Sequence, residues 1–163
     1  MVEETVFAAP ISQLRIWSLL SDLPTYRQWH PHYRFMRRCQ KGCHAQMSRL
    51  FFNWRRIRMW VKIESEEKPR VFGWTSKLSS LCRINERYVI VPTQGGADIQ
   101  HIVEFKGVLG EIAGRLSRRE IREEMAQQDA ALLKALKKQT LRPPRGKGQL
   151  KLVPASTRRR TND

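Results

Sequence analysis

A histidine stands inside an otherwise apolar row: Ala97, Ile99, His101, Val103 and Phe105 alternate with Asp98, Gln100, Glu104 and Lys106. This is the period of a half-buried strand, so the His101 ring shares a face with the apolar side chains. Titrating near neutral pH, an imidazole placed there can orient a ligand carbonyl or move a proton, which makes His101 the candidate catalytic residue. The plainer reading is a core histidine bonded to a neighbouring backbone or side chain. Gln128 is a similar case, an amide on a helical stripe with Ile121, Met125, Leu132 and Leu136. Buried there, it requires a partner: ligand, water or His101 itself. Glu104 has the opposite strand parity and reads as a solvated or paired surface acid.

His30, His32, Cys39, Cys43 and His44 carry the side chains that zinc prefers. Their spacing is poor: three residues separate Cys39 from Cys43, no second cysteine pair follows, and Cys43-His44 is not a haem-attachment sequence. No metal is expected, and the two thiols read as buried groups of a β-hairpin. Gly95-Gly96 reads as a turn, while Gly107 and Gly110 lack the strand-to-helix context of a phosphate loop. No cofactor is expected, and no nucleophile stands at a recognisable spacing from a base.

The elements that must position these residues follow from periodicity. Val2 to Ala8 is β-prone, and Ala9-Pro10 breaks it where a helix opens, with Ile16, Trp17 and Leu20 on one face. Ser21-Asp22-Leu23-Pro24 stops that helix before a second helical turn from Tyr26 to Trp29. From Tyr33 to Phe105, five or six antiparallel strands fit between turn signals at Lys41-Gly42, Asn53, Lys68-Pro69, Ser79-Ser80 and Gln94-Gly95-Gly96. The clearest alternation sets Ile57, Met59, Val61 and Ile63 against Arg58, Trp60 and Lys62, a core face and a water face. After Gly107 the period becomes helical through Leu109, Ile112, Ala113 and Leu116. It continues along the longest helix, whose last turn holds Lys134, Lys137 and Lys138 at the negative end of the dipole.

The chain has 163 residues, 40% of them hydrophobic, enough for one core without disulfides or metal. Its apolar runs are too short to cross a bilayer, the acidic start MVEETVF lacks a signal-peptide core, and three cysteines suit a reducing compartment. A cytoplasmic location is expected. The 31 Lys+Arg against 15 Asp+Glu give a net charge of +16, and its distribution is uneven. Residues 142–163 hold seven bases and one acid, read as a disordered basic tail behind a single folded domain of residues 1–141. Leu23 to Ile63 holds ten bases and no acid. Within it Arg34, Arg37, Arg38, Arg55, Arg56 and Arg58, interleaved with Tyr33, Phe35, Trp54 and Trp60, form a patch suited to an anionic membrane surface. Nucleic acid is the alternative partner.

Strand, two short helices, antiparallel sheet and long C-terminal helix is the order of an α+β helix-grip fold. In it a curved antiparallel β-sheet wraps around a long C-terminal α-helix, with two short helices after the first strand. The residues carry a resemblance as well. Val6-Phe7-Ala8-Ala9-Pro10, Ile16-Trp17, Leu20-Ser21-Asp22, Tyr26 and Trp29-His30-Pro31 open the series. Ile63-Glu64, Lys68-Pro69-Arg70, Gly73-Trp74, Gly95-Gly96, His101, Glu104-Phe105, Gly107 and Leu136-Lys137 continue it. Over residues 2–140 this ordered set resembles the START-like superfamily (SRPBCC, Bet v 1-like), within it the polyketide cyclase/dehydrase and lipid transport family. Ala97 departs from the threonine common there.

The resemblance implies a cavity between the sheet and the last helix. Its candidate lining is Trp29, Met59, Val61, Trp74, Ile99, His101, Val103, Met125, Gln128 and Leu132, with Tyr26 to His32 near the mouth. The function it implies is binding, with transport or sequestration, of a hydrophobic small molecule such as a lipid, quinone or polyketide. One alternative is a cyclase/aromatase- or dehydratase-type enzyme in which His101 transfers protons. The other is a basic nucleic-acid or ribosome-associated binding protein. Binding is favoured over catalysis, and the residues leave ligand identity and oligomeric state open.

Overall fold

The computed structural model describes residues 1–36, 44–51 and 55–140. Cys39, Cys43, Arg37, Arg38, the turn signals at Lys41-Gly42 and Asn53, and the basic tail lie outside the described residues.

The chain runs β1 (Val2–Ala9), α1 (Gln13–Ser21), a 3-10 turn (Leu23–Thr25), α2 (Tyr26–Trp29), β2 (Tyr33–Phe35), β3 (His44–Phe51), β4 (Arg55–Glu67), β5 (Val71–Ser79), β6 (Cys82–Thr93), β7 (Gly96–Lys106), α3 (Val108–Leu116) and α4 (Arg118–Thr140). All neighbours in the sheet are antiparallel, in the order β1-β7-β6-β5-β4-β3-β2. The sheet curls into a half-barrel around α4, a helix-grip arrangement. No helix among the described residues is long and apolar enough to cross a membrane.

Strand parity decides which side chains meet the long helix. Met59, Val61 and Ile63 of β4 are buried while Arg58, Trp60 and Lys62 are exposed; Ile57, expected on the same core face, is exposed instead, in the part of β4 that does not pair with β5. Ala97, Ile99, His101, Val103 and Phe105 of β7 form a continuous buried row. From α4, Ile121, Met125, Gln128, Leu132 and Leu136 are buried in turn. Each fully buried aliphatic side chain contributes about 1.5–3 kcal/mol, and a one-residue slip would turn a whole row outward, so the register is held firmly. That register sets His101 opposite Thr5 on one side and Tyr88 on the other.

Three further local expectations are corrected. Helix α1 does not open at Pro10: the Ile11 amide donates to the Ala9 carbonyl at 2.8 Å in a tight turn that sends Ile11 into the core, and α1 starts only at Gln13. Helix α3 has the expected period, but Leu109, Ile112 and Leu116 are exposed and its buried residues are Gly110 and Gly114. A Cβ on Gly114 would lie 2.8 Å from Met1 Sδ and 3.1 Å from Phe105 Cγ, so only the glycine face allows the helix this close to β7. Finally, Arg49 belongs to the acid-free basic stretch in sequence, yet it is buried in the core instead of lying on the basic surface.

Candidate functional site

Mid-sheet, under α4, the interior is ionic. His101, fully buried, lies with Nδ1 2.8 Å from Asp129 Oδ1 on α4 and Nε2 3.3 Å from Glu86 Oε1 on β6. Each carboxylate has a second donor: Thr5 Oγ1 to Asp129 Oδ2 and Tyr33 Oη to Glu86 Oε2, both at 2.6 Å. Tyr88 stacks on the imidazole with ring centroids 4.3 Å apart. Burial by itself pushes the His101 ring toward neutrality. Its hydrogen bonds to Asp129 and Glu86, and the charges of the same two groups, more than reverse this and raise its pKa. The centre is a carboxylate–imidazolium–carboxylate chain with both ring nitrogens engaged.

A second ion pair lies beside it. Arg49 Nη2 donates to Glu124 Oε2 at 2.8 Å, and the guanidinium sits 5.3 Å from the centroid of the Tyr33 ring. Burial holds the Tyr33 phenol well above its usual pKa, with Arg49 opposing and Glu86 adding, so it stays protonated and donates to Glu86.

His30 has a different character. Its Nδ1 accepts the backbone amides of His32 at 3.2 Å and Tyr33 at 3.0 Å, while its ring stacks on Tyr33 at 4.3 Å. Burial, and then the positive charges of His32, His101, Arg34 and Arg49, hold it neutral. A neutral ring whose Nδ1 accepts must carry its proton on Nε2. That Nε2–H is buried without a partner among the described residues, as is the indole Nε1–H of Trp29, whose ring centroid is 5.1 Å from that of His30. Gln128 Oε1 is likewise buried and without a partner among the described residues. Two buried donors on neighbouring rings, and an acceptor on α4, are thus left without a hydrogen-bond partner among the described residues.

The residues expected from the sequence fall as follows. Trp29, Met59, Val61, Trp74, Ile99 and Leu132 pack in one cluster, and Val103 and Met125 in a second around Ile84, Phe105 and Ile121. His101 and Gln128 are both buried, but His101 takes Asp129 and Glu86 as partners, not Gln128. Glu104 is paired at the surface with Lys106 at 3.1 Å. Of the basic patch, Arg34 donates to the His30 and Tyr33 carbonyls and Arg58 is exposed. Arg55 and Arg56 lie in β4 with side chains outside the description. His44 is exposed on β3, apart from buried His30 and His32, so these three do not converge.

Sequence reasoning missed Glu86, Asp129, Tyr33, Arg49 and Glu124. A signal existed: Glu86 stands in the β6 row Ile84, Tyr88, Ile90, Arg49 follows Ala45 and Met47 in β3, and Asp129 lies four residues after Met125. Charged residues in apolar rows mark buried ionic sites as clearly as His101 does.

No family model matches the chain, and no curated protein matches it by sequence. Solved structures do. Protein SA2116 of unknown function from Staphylococcus aureus superposes with a TM-score of 0.70 at 9% identity, covering 87% of this chain and 96% of that one. Ara h 8.0201 gives 0.63 at 9% identity, with 85% and 98% covered. The chain has the START/Bet v 1-like fold. The di-domain ARO/CYC StfQ from the steffimycin biosynthetic pathway matches this helix-grip fold as well, with a TM-score of 0.67 at 11% identity, over 85% of this chain and 51% of StfQ. At these identities the likeness is one of fold alone.

Proposed function

We propose that the protein binds a hydrophobic small molecule bearing a carbonyl oxygen between the sheet and α4, with that oxygen on the Trp29 and His30 donors. The observation that carries this reading is the pair of buried N–H groups on neighbouring rings without partners among the described residues, set among Tyr26, Phe35 and Trp74. An apolar body against Val61, Trp74, Ile99 and Leu132 gains about 25 cal/mol per Å² removed from water. Each hydrogen bond to the oxygen adds about 1 kcal/mol, and the loss of an unmet donor penalises ligands that lack it. Quinones, polyketides and lipid esters all have this chemistry. His101 does not touch the guest in this reading. With both nitrogens engaged by carboxylates, it fixes the charges that keep the sheet and helix in register.

The test is isothermal titration calorimetry with menadione, an uncharged quinone. Saturable one-site binding is expected, weakened about fivefold by Trp29→Phe, which keeps a ring and removes the donor. Absence of saturable binding, or equal affinity in the wild type and Trp29→Phe, would contradict the proposal.

A second reading, proton transfer in a cyclase- or dehydratase-type reaction, is favoured by one observation: the ionic chain ends on the Tyr33 hydroxyl, which Glu86 and His101 back. StfQ, with the same fold, is an ARO/CYC of a biosynthetic pathway. A bound polyketide recovered chemically changed from the wild type and unchanged from Tyr33→Phe would favour it.

A further inference from the structure

Strands β4 and β5 pair from Val61↔Ser76 to Glu67↔Val71, although β4 begins at Arg55 and β5 continues to Ser79. On its other side β4 stays paired with β3 from His44↔Lys62 to Phe51↔Arg55. Between Ile57–Trp60 and Lys77–Leu78 the sheet therefore parts, and a cleft of about 730 Å³ opens there. Its lining shows where it runs. From β4 it takes inward Met59 and outward Arg58 and Trp60, and from β5 both Lys77 and Leu78. Successive side chains of a strand point to opposite faces, so a space that touches both parities on both strands passes between them and not over one face.

The chemistry of the walls is amphipathic. Met59 forms a buried floor, while Ile57, Leu78 and Trp60 are exposed at 40%, 43% and 62% around it. The acid in the lining, Glu64, is paired with Lys62 at 3.6 Å. Arg58, Lys77 and Arg83 make no ion pair among the described residues. A volume in the range of small-molecule sites, apolar inside and cationic at the rim, fits a ligand of matching polarity.

We infer that this cleft binds an amphipathic anion, an alkyl or aryl body between Met59 and Leu78 with its phosphate or carboxylate head on Arg58, Lys77 and Arg83. A nucleic-acid strand suits it less, because successive bases need several aromatic platforms and the cleft presents Trp60 alone among the described residues. A flat bilayer suits it less because Met59 is recessed. The site is separate from the Trp29–His30 donors, so its failure and that of the interior reading are told apart by probe charge.

The experiment titrates the full chain with monomeric dodecyl phosphate by calorimetry and tryptophan fluorescence. One saturable site is expected, with affinity lowered about tenfold or more in Lys77→Gln/Arg83→Gln as charge-assisted bonds are lost. Trp60→Phe should abolish the emission change while the binding heat persists. Unchanged affinity in the double variant overturns the inference. So does inorganic phosphate or an oligothymidylate that displaces the probe at equal or lower concentration. Binding to phosphatidylglycerol vesicles without binding of the monomeric probe overturns it as well.

Discussion

His101 of β7 and Asp129 of α4 meet at 2.8 Å in the middle of the protein, joining the sheet to the helix it grips through an ion pair. Glu86 on the far side of the ring completes a buried site in which one cation faces two carboxylates. Such a site is a specific registration point, because shifting α4 would leave charges buried without partners.

Stability should pass through a maximum near pH 6.5. His101 has a pKa raised by Asp129 and Glu86 above its unfolded value of about 6.5, so its contribution is complete below that pH and is lost as pH rises toward the folded pKa. His30 has its pKa lowered by burial and neighbouring cations, and burial lowers that of His32. Their unfolded forms take up protons first, so stability falls as pH drops below about 6.5. Calorimetric Tm against pH should show both limbs, and Asp129→Asn should move the alkaline limb to lower pH. A Tm rising steadily through neutrality would contradict this assignment.

Arg49 and Glu124 should behave as a unit. Arg49→Met leaves Glu124 buried without this counter-charge and should cost about 3–5 kcal/mol, whereas Arg49→Met/Glu124→Leu should cost clearly less than either single change. Urea denaturation of the three variants measures the coupling. Additive losses would show that the pair does not interact as the 2.8 Å contact implies.

The entry to α3 depends on Gly107, whose φ of +85° is unfavourable for L side chains and whose Cβ would press on the Leu81 carbonyl. Gly107→Ala should destabilise by about 1–3 kcal/mol. Gly110→Ala places its Cβ at an ordinary 3.6 Å from Cys82 Sγ and should be neutral or stabilising by up to about 1 kcal/mol. Equal effects in thermal melts would refute the distinction.

The fold was legible because its signals are periodic. Alternation in β4 and β7 and the 121–136 stripe of α4 name the buried faces directly, and burial follows them except at Ile57, which is exposed where β4 leaves β5. The α3 stripe misled because glycine has no hydrophobicity to score. Gly110 and Gly114 are buried, Gly114 through close approach to Met1 and Phe105, which no periodicity of side chains reports. The candidate site was half legible. His101 and Gln128 were visible as polar residues in apolar rows, but His101's partners come from β6 and α4, and that juxtaposition depends on strand order and helix placement. The β4–β5 cleft has no sequence signal at all, since Met59 and Trp60 alternate there as they would in a paired strand.

The most direct measurement of the proposed function is native mass spectrometry of the full chain purified from its own host, followed by solvent extraction of whatever is bound. One hydrophobic molecule with a carbonyl oxygen per chain is expected, retained by the wild type and depleted from Trp29→Phe. A wild-type spectrum showing the bare chain alone, or a guest held equally by the variant, would contradict it.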